Sequence, residues 1–235
     1  MQKRIFGTEN EYSFVAKTKG GFWDSVKSDI YLEPLLDNMG SFESFSRFWV
    51  LEKSFKSHEK KYWLGSNGAL FYFDPAHDGR LPEYSTPECD SAELLAAHDK
   101  AGEFFVDALR KICQETNPLS KFVISKNTTA YPKEGGEVGY VGCHENYFTD
   151  ARFDSYRIGQ NTNAPHPLAK SFCEFLAPFL ISRIVFHGSG GVRWSTDSGW
   201  HYVLSQRVFA MKRVAGTGTT SDRALVQFKE EHVPP

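Results

Sequence analysis

The sequence has little cysteine, no long apolar run and almost no net charge, and each shortage removes a class of protein. Its four cysteines, Cys89, Cys113, Cys143 and Cys173, stand far apart with no Cys-x-x-Cys pair. That argues against a thiolate metal finger and against a disulfide scaffold. No stretch approaches the roughly 20 apolar residues of a membrane-spanning helix. The opening MQKRIFGTENEY holds no apolar signal core, so the expectation is a cytoplasmic protein with reduced thiols. A formal net charge of −2 gives no general pull toward nucleic acid or an anionic membrane, and neither is expected as a partner. A bound anion would have to be met by local cations or by metal.

What is present is a core-forming chain with concentrated acids. At 235 residues, 40% hydrophobic and 24% charged, it is long enough for one large domain or two modest ones. Twenty phenylalanines suggest aromatic packing. The stretch FYFDPAHDGRLPEYSTPECD, from Phe71 to Asp90, carries Asp74, Asp78, Glu83, Glu88 and Asp90 among three prolines. It reads either as a solvated loop or as a loop that holds metal ions and a charged substrate.

The pattern along the chain predicts an α+β fold of mainly antiparallel strands interrupted by two long helices. Lys3 to Val15 reads as one strand, and Tyr31 to Phe55 as short helices broken at Pro34 and Gly40. Asn67-Gly68 marks a turn into a strand from Ala69 to Phe73. The clearest helix runs from about Ser91 to Thr116, with Asp90 as its cap and Glu93 as the capping-box partner. Phe122 to Ser125 and Gly139 to Phe148 read as extended. Leu168 to Phe186 is a helix in which Pro178 predicts a kink or break, and His201 to Phe209 reads as a strand. There is no internal repeat and no clean linker, so residues 1–235 read as part of a single domain. The tail VQFKEEHVPP has no closing element, and the expectation is that the fold is truncated there.

Three clusters carry candidate chemistry. Glu9 and Glu11 lie two apart on a strand and so project from one face, with Phe6, Tyr12 and Phe14 on the other. Like charges side by side repel unless a cation sits between them, and oxygen ligands of this kind suit magnesium. An exposed polar strand face accounts for the pair equally simply. Asp74 closes an aromatic strand and shares a face with Tyr72; it is a candidate general base, or a turn residue before Pro75. Glu83 is placed to turn back toward it. In GYVGCHENYF, His144 and Asn146 share a face and Glu145 takes the other. Lys126, Arg193, Arg207, Arg213 and Arg223 are candidate counter-charges for phosphate.

Taken in order, these segments resemble the family of Pup–protein ligases and Pup deamidase/depupylases, relatives of glutamine synthetase and other carboxylate-amine ligases. The resemblance rests on RIFGTENEY, NGALFYFD, PEYSTPECDSAELLAAHDKAGE, GCHENY, and LSQR with Thr219-Thr220, and it covers nearly all of the chain. It implies a glutamine-synthetase-like curved antiparallel sheet with helices on one face, using ATP and Mg2+. It implies magnesium ligation by Glu9, Tyr72 and Glu83, with Glu11 a further ligand on the shared face. Asp74 would be the catalytic base of a ligase or the nucleophile of a depupylase. Thr86 matches a nucleotide-contact position, and Arg207, His144 and Asn146 would lie in the nucleotide pocket. The implied partners are a Pup-like disordered protein modifier and lysine-bearing target proteins. The implied reaction joins the modifier's C-terminal glutamate side chain to a lysine; the short interval between Glu11 and Asp74 favours ligase over depupylase.

The chain also departs from that pattern. Leu70 stands where the family has an arginine two positions before the metal-binding tyrosine. Leu81 replaces a histidine, Lys229 replaces an arginine, and the Asp74 loop is longer than usual. The family's remaining nucleotide-binding sheet and C-terminal domain would lie beyond Pro235, so a truncated, non-catalytic relative is a third expectation.

Overall fold

The computed structural model describes residues 5–17, 21, 23–25, 28–39, 51–57, 60–76, 79–118, 121–126, 129–130, 139–148, 167–195, 197–216 and 223–227. Arg4, Asp78, Thr219, Thr220 and Lys229 lie outside them. The chain divides into two compact units, Met1–Phe148 and Thr149–Pro235.

The first unit is α+β. Its strands are β1 (Phe6–Glu11), β2 (Ser13–Lys17), β3 (Trp23–Ser25), β4 (Leu51–Ser57), β5 (Lys60–Gly65), β6 (Leu70–Ala76), β7 (Gly79–Ser85), β8 (Lys121–Ser125), β9 (Thr129–Ala130), β10 (Gly139–Tyr140) and β11 (Cys143–Tyr147). Its helices are α1 (Ser28–Asp37) and α2 (Ala92–Thr116). Six strands form one antiparallel sheet in the order β11-β1-β7-β6-β5-β4. β3, β2 and β8 form a second antiparallel sheet.

Alternation along the strands sorts the two faces of the large sheet. Asn10, Trp63, Phe71, Phe73 and Tyr84 are buried on the face toward α1 and α2. There Phe71 meets Phe105 of α2 with ring centroids 5.2 Å apart, and Trp63 meets Phe73 edge-on at 5.7 Å. α2 supplies Phe105, Val106, Leu109, Ile112 and Cys113 to this core, and α1 supplies Leu32, Leu35 and Leu36. Gly102 sets the close approach of α2 to the sheet: a Cβ there would lie 2.5 Å from the Tyr84 ring. The Asn67-Gly68 turn forms as expected, with Gly68 at φ +82° and the Asn67 side chain accepting from Ala69 N.

Several local expectations are corrected. Lys3 to Val15 is not one strand. β1 ends at Glu11 and β2 begins at Ser13, because Tyr12 leaves the large sheet after donating its N–H to Pro82 O (2.8 Å). Leu51–Ser57 is a strand rather than helix, drawn into the sheet by pairing with β5. The acidic stretch after Phe73 is not all loop: β6 continues through Asp74 to Ala76 and pairs with β7, which carries Glu83, while Glu88 and Asp90 lie beyond the end of β7. The cap of α2 is Ser91, whose hydroxyl accepts from Leu94 N (3.2 Å), not Asp90.

The second unit holds α3 (Pro167–His187), β12 (Gly191–Ser195), β13 (Gly199–Val203), β14 (Met211–Gly216) and β15 (Arg223–Gln227). α3 runs through Pro178 without a break. Pro178 and Glu174, one turn earlier, are both exposed, so the carbonyl that loses its donor lies on the solvent side. β12 and β13 form a hairpin. The strand expected from His201 to Phe209 stops at Val203 and is followed by a 3-10 turn, Arg207–Ala210. β14 and β15 pair in parallel, an exception to the expected antiparallel pattern. No helix among the described residues is long and apolar enough to cross a membrane.

Candidate metal centre

The face of the large sheet turned away from the helices gathers acids from three adjacent strands. In register, Glu9 of β1 stands beside His144 of β11 and Ser85 of β7. Glu11 stands beside Glu83, and Glu83 beside Tyr72 of β6. Asp74 follows Tyr72 on the same face, two residues on. Backbone pairing alone thus brings together residues separated by up to 135 positions in the chain, between Glu9 and His144.

Two groups of ligand atoms result. One oxygen or nitrogen each from Glu9, Glu83 and His144 lie within 4.8 Å of one another, as do those of Glu11, Asp74 and Glu83. Glu83 belongs to both groups, so it is placed to bridge two cation positions. His144 Nδ1 lies 3.4 Å from Glu9 Oε2. Glu11 and Glu83 are buried, at 7% and 3% exposure, which is far from the solvated loop that acids usually occupy.

Hydrogen bonds hold two of these carboxylates in place. Gly142 N donates to Glu11 Oε2 at 2.8 Å. Ser85 Oγ donates to the Tyr72 hydroxyl at 3.2 Å, and Tyr72 in turn is hydrogen-bonded to Glu83. Burial pushes the Glu83 carboxyl up to about 8, with the charges of Glu9, Glu11 and Asp74 acting in the same direction. Burial likewise raises the Tyr72 phenol far above its ordinary range, reinforced by Glu83 and Glu9. Tyr72 thus links Ser85 to Glu83 on the acidic face. Its ring packs on Tyr62 at 5.1 Å.

The candidates from the sequence thus separate by position. Glu9, Glu11, Tyr72, Asp74, Glu83 and His144 form one cluster. Asn146 lies two residues from His144 at the other end of β11, paired with Gly7. Thr86 follows β7, its hydroxyl accepting from Thr8 N at 3.0 Å, so that oxygen serves the ladder. Arg207 belongs to the second unit, as do Arg193, Arg213 and Arg223; Arg193 lies 3.8 Å over the Phe209 ring. Lys126 does not face the acids: it pairs with Asp99 and Glu103 of α2. Leu70 is on the acidic face, paired with Ser85.

Sequence reasoning missed Ser85 and the Gly142 amide. Alternation from Glu83 could have found Ser85, whereas only the fold brings Gly142 to Glu11. Four carboxylates with one imidazole form an oxygen-rich set that suits a hard divalent cation. A buried acid held above its ordinary range by burial, and further by its like-charged neighbours, is a favourable place for a positive charge.

Comparison with known proteins gives the family. The family model described as "Pup-ligase protein" matches residues 4–234. The Pup--protein ligases of Jonesia denitrificans and Acidimicrobium ferrooxidans are each 30% identical over 236 aligned positions, 98% of this chain. The chain spans 43% of the length of each. A crystal structure of the complex between prokaryotic ubiquitin-like protein Pup and its ligase PafA superposes on 87% of the chain and 34% of its own, with a TM-score of 0.56 at 24% identity. That likeness is one of fold.

Proposed function

The chain belongs to the Pup-ligase protein family, and from that premise we propose that its acidic sheet face is the metal-nucleotide centre of an ATP- and Mg2+-dependent ligase. The substrates are the C-terminal glutamate side chain of the modifier Pup and lysines of target proteins. The observation that carries the reading is the pair of ligand groups, Glu9–Glu83–His144 and Glu11–Asp74–Glu83, that share one buried glutamate.

In this reading Glu9, Glu83 and His144 would hold one magnesium ion, and Glu11 with Glu83 would hold a second. Bound magnesium supplies charge stabilisation for the triphosphate and for the phosphoryl group transferred to the glutamate. The chain's own residues prepare that environment. Tyr72 and Ser85 fix one side of Glu83, and the Gly142 amide fixes one oxygen of Glu11. Asp74 accepts the proton from the lysine ammonium, because only the neutral amine attacks an activated carbonyl. The products are an isopeptide bond, ADP and phosphate, so one ATP is cleaved per bond made.

A second reading, a non-catalytic relative that keeps the cation site, is favoured by Leu70. It puts an apolar side chain on the acidic face, where an arginine hydrogen bond to phosphate would contribute about 1.5–3 kcal/mol. The test is incubation of the chain with ATP, Mg2+, Pup ending in glutamate and a lysine-bearing protein, read by intact mass. Conjugate formed by the wild type and lost in Asp74→Asn is the expected result. Hydrolysis of ready-made conjugate, or of the terminal amide of Pup ending in glutamine, would instead establish the depupylase chemistry. Cation binding without either reaction would establish the non-catalytic reading.

A further inference from the structure

The segment HDKAGE, His98 to Glu103, contributes nothing to the acidic face, yet its charges lie directly behind that face. Asn10 sits between Glu9 and Glu11, and alternation sends its side chain to the helix side, where it is 2% exposed. Its amide donates to Asp99 of α2. The second oxygen of Asp99 accepts from Lys126 Nζ at 3.2 Å, and Lys126 also pairs with Glu103 Oε1 at 2.9 Å. Asp99 and Glu103 are four apart and so share a helix face. Lys126 follows β8 and lies 5.8 Å over the Tyr12 ring, where β1 hands over to β2. Lys100 closes the array on Glu103.

We propose that Asn10, Asp99, Lys126 and Glu103 form a positioning array that fixes β1, so that Glu9 and Glu11 each reach their own cation position around Glu83. The proposal rests on the cation reading given above. Three features support it. β1 is the strand that supplies a different acid to each ligand group. Asn10 is the residue between those two acids, so its side chain controls both the height and the rotation of that part of the strand. The anchor is a charge-assisted hydrogen bond, stronger and more directional than an amide pair. Apolar packing would join strand to helix without such direction, and half-buried ions are a costly way to obtain packing alone. The lysines also balance Asp99 and Glu103, so the anchor adds no uncompensated negative charge behind the acids.

The test is Mn2+ titration, read by the electron paramagnetic resonance of free and bound ion, on the wild type, Asn10→Ala, Asp99→Ala, the double variant and Asp99→Asn. Both alanine variants should weaken Mn2+ about 10–100-fold, the usual effect of removing an outer partner of a metal site. The double variant should be no weaker than the worse single one, because one bond is lost. Asp99→Asn keeps an acceptor for Asn10 but loses the charge, and its affinity should fall between those of Asp99→Ala and the wild type. Unfolding in the absence of metal is recorded alongside. A packing role alone would lower that stability while leaving the folded protein's Mn2+ affinity and spectrum unchanged, which would overturn the proposal. If Asn10→Ala does not fold, Lys126→Met carries the same expectation of an affinity loss of about 10-fold or more. Full additivity of the two alanine losses would also overturn it. Absence of Mn2+ binding by the wild type would overturn the cation reading together with this one; unchanged binding in folded variants would overturn this one alone.

Discussion

The two faces of the large sheet treat acidic residues in opposite ways. On the helix side, Glu103 is held below the ordinary carboxylate range: burial pushes it up, but Lys100 and Lys126 more than offset that. On the outer side, Glu83 is pushed up to about 8 by burial and by Glu9, Glu11 and Asp74. The first arrangement is complete as it stands, with each acid matched by a lysine. The second gathers four carboxylates and one imidazole on three neighbouring strands and β11, with Gly142 N donating to Glu11 and Tyr72 bonded to Glu83. An acid cluster that the fold keeps buried and like-charged is understood when a cation is added to it.

The comparison breaks most sharply at Glu83. Glu83→Gln keeps the shape and removes the bridging charge. Divalent-cation affinity should fall by more than the roughly 100-fold expected for an outer-sphere partner, while the apo protein should become more stable at pH 8. Equal affinity in the variant, measured by calorimetry, would place the cation elsewhere. Next in size is the core between the faces. Phe71→Ala removes a ring packed on Trp63, Phe73 and Phe105 and should cost about 3–5 kcal/mol in urea unfolding.

The pH dependence sharpens the contrast further. Glu83 has a folded-state value raised from 4.5 to about 8. Its contribution is therefore most favourable below 4.5 and is lost as pH rises toward 8. Without metal, stability should decline across that window, and saturating Mg2+ should flatten or reverse the decline. Glu103 has the opposite sign, its contribution being present above the ordinary glutamate range and lost on acidification. The smallest effect is at the helix end: Ser91→Ala should cost about 1 kcal/mol in urea unfolding.

Much of this was legible in the sequence where period and chemistry agree. The alternation of Glu9, Asn10 and Glu11 gave the two faces of β1, and the 3.6-residue stripe gave α2 almost to its ends. The acids of the Phe71–Asp90 stretch stand out in the sequence, but the context there reads as a loop. Asp-Pro and Leu-Pro are turn signals locally, and only the ladder from Leu70–Ser85 to Ala76–Gly79 converts them to a hairpin. His144 suits metal or nucleotide equally from its chemistry, and nothing in the sequence reports that β11 lies beside β1, next to Glu9. The array behind β1 was invisible for the same reason: Asn10, Asp99 and Lys126 meet only through the packing of α2 on the sheet.

The central claim is that the outer face of the sheet holds a divalent cation between carboxylates. Titrating Mg2+ into the metal-free chain by calorimetry at pH 7.5, in two buffers of different ionisation enthalpy, tests it most directly. The account predicts saturable binding that releases a proton, since a carboxyl held near 8 must ionise to ligate, and loss of both signals in Glu83→Gln. Binding that releases no proton and survives in Glu83→Gln, or no binding at all, would contradict it.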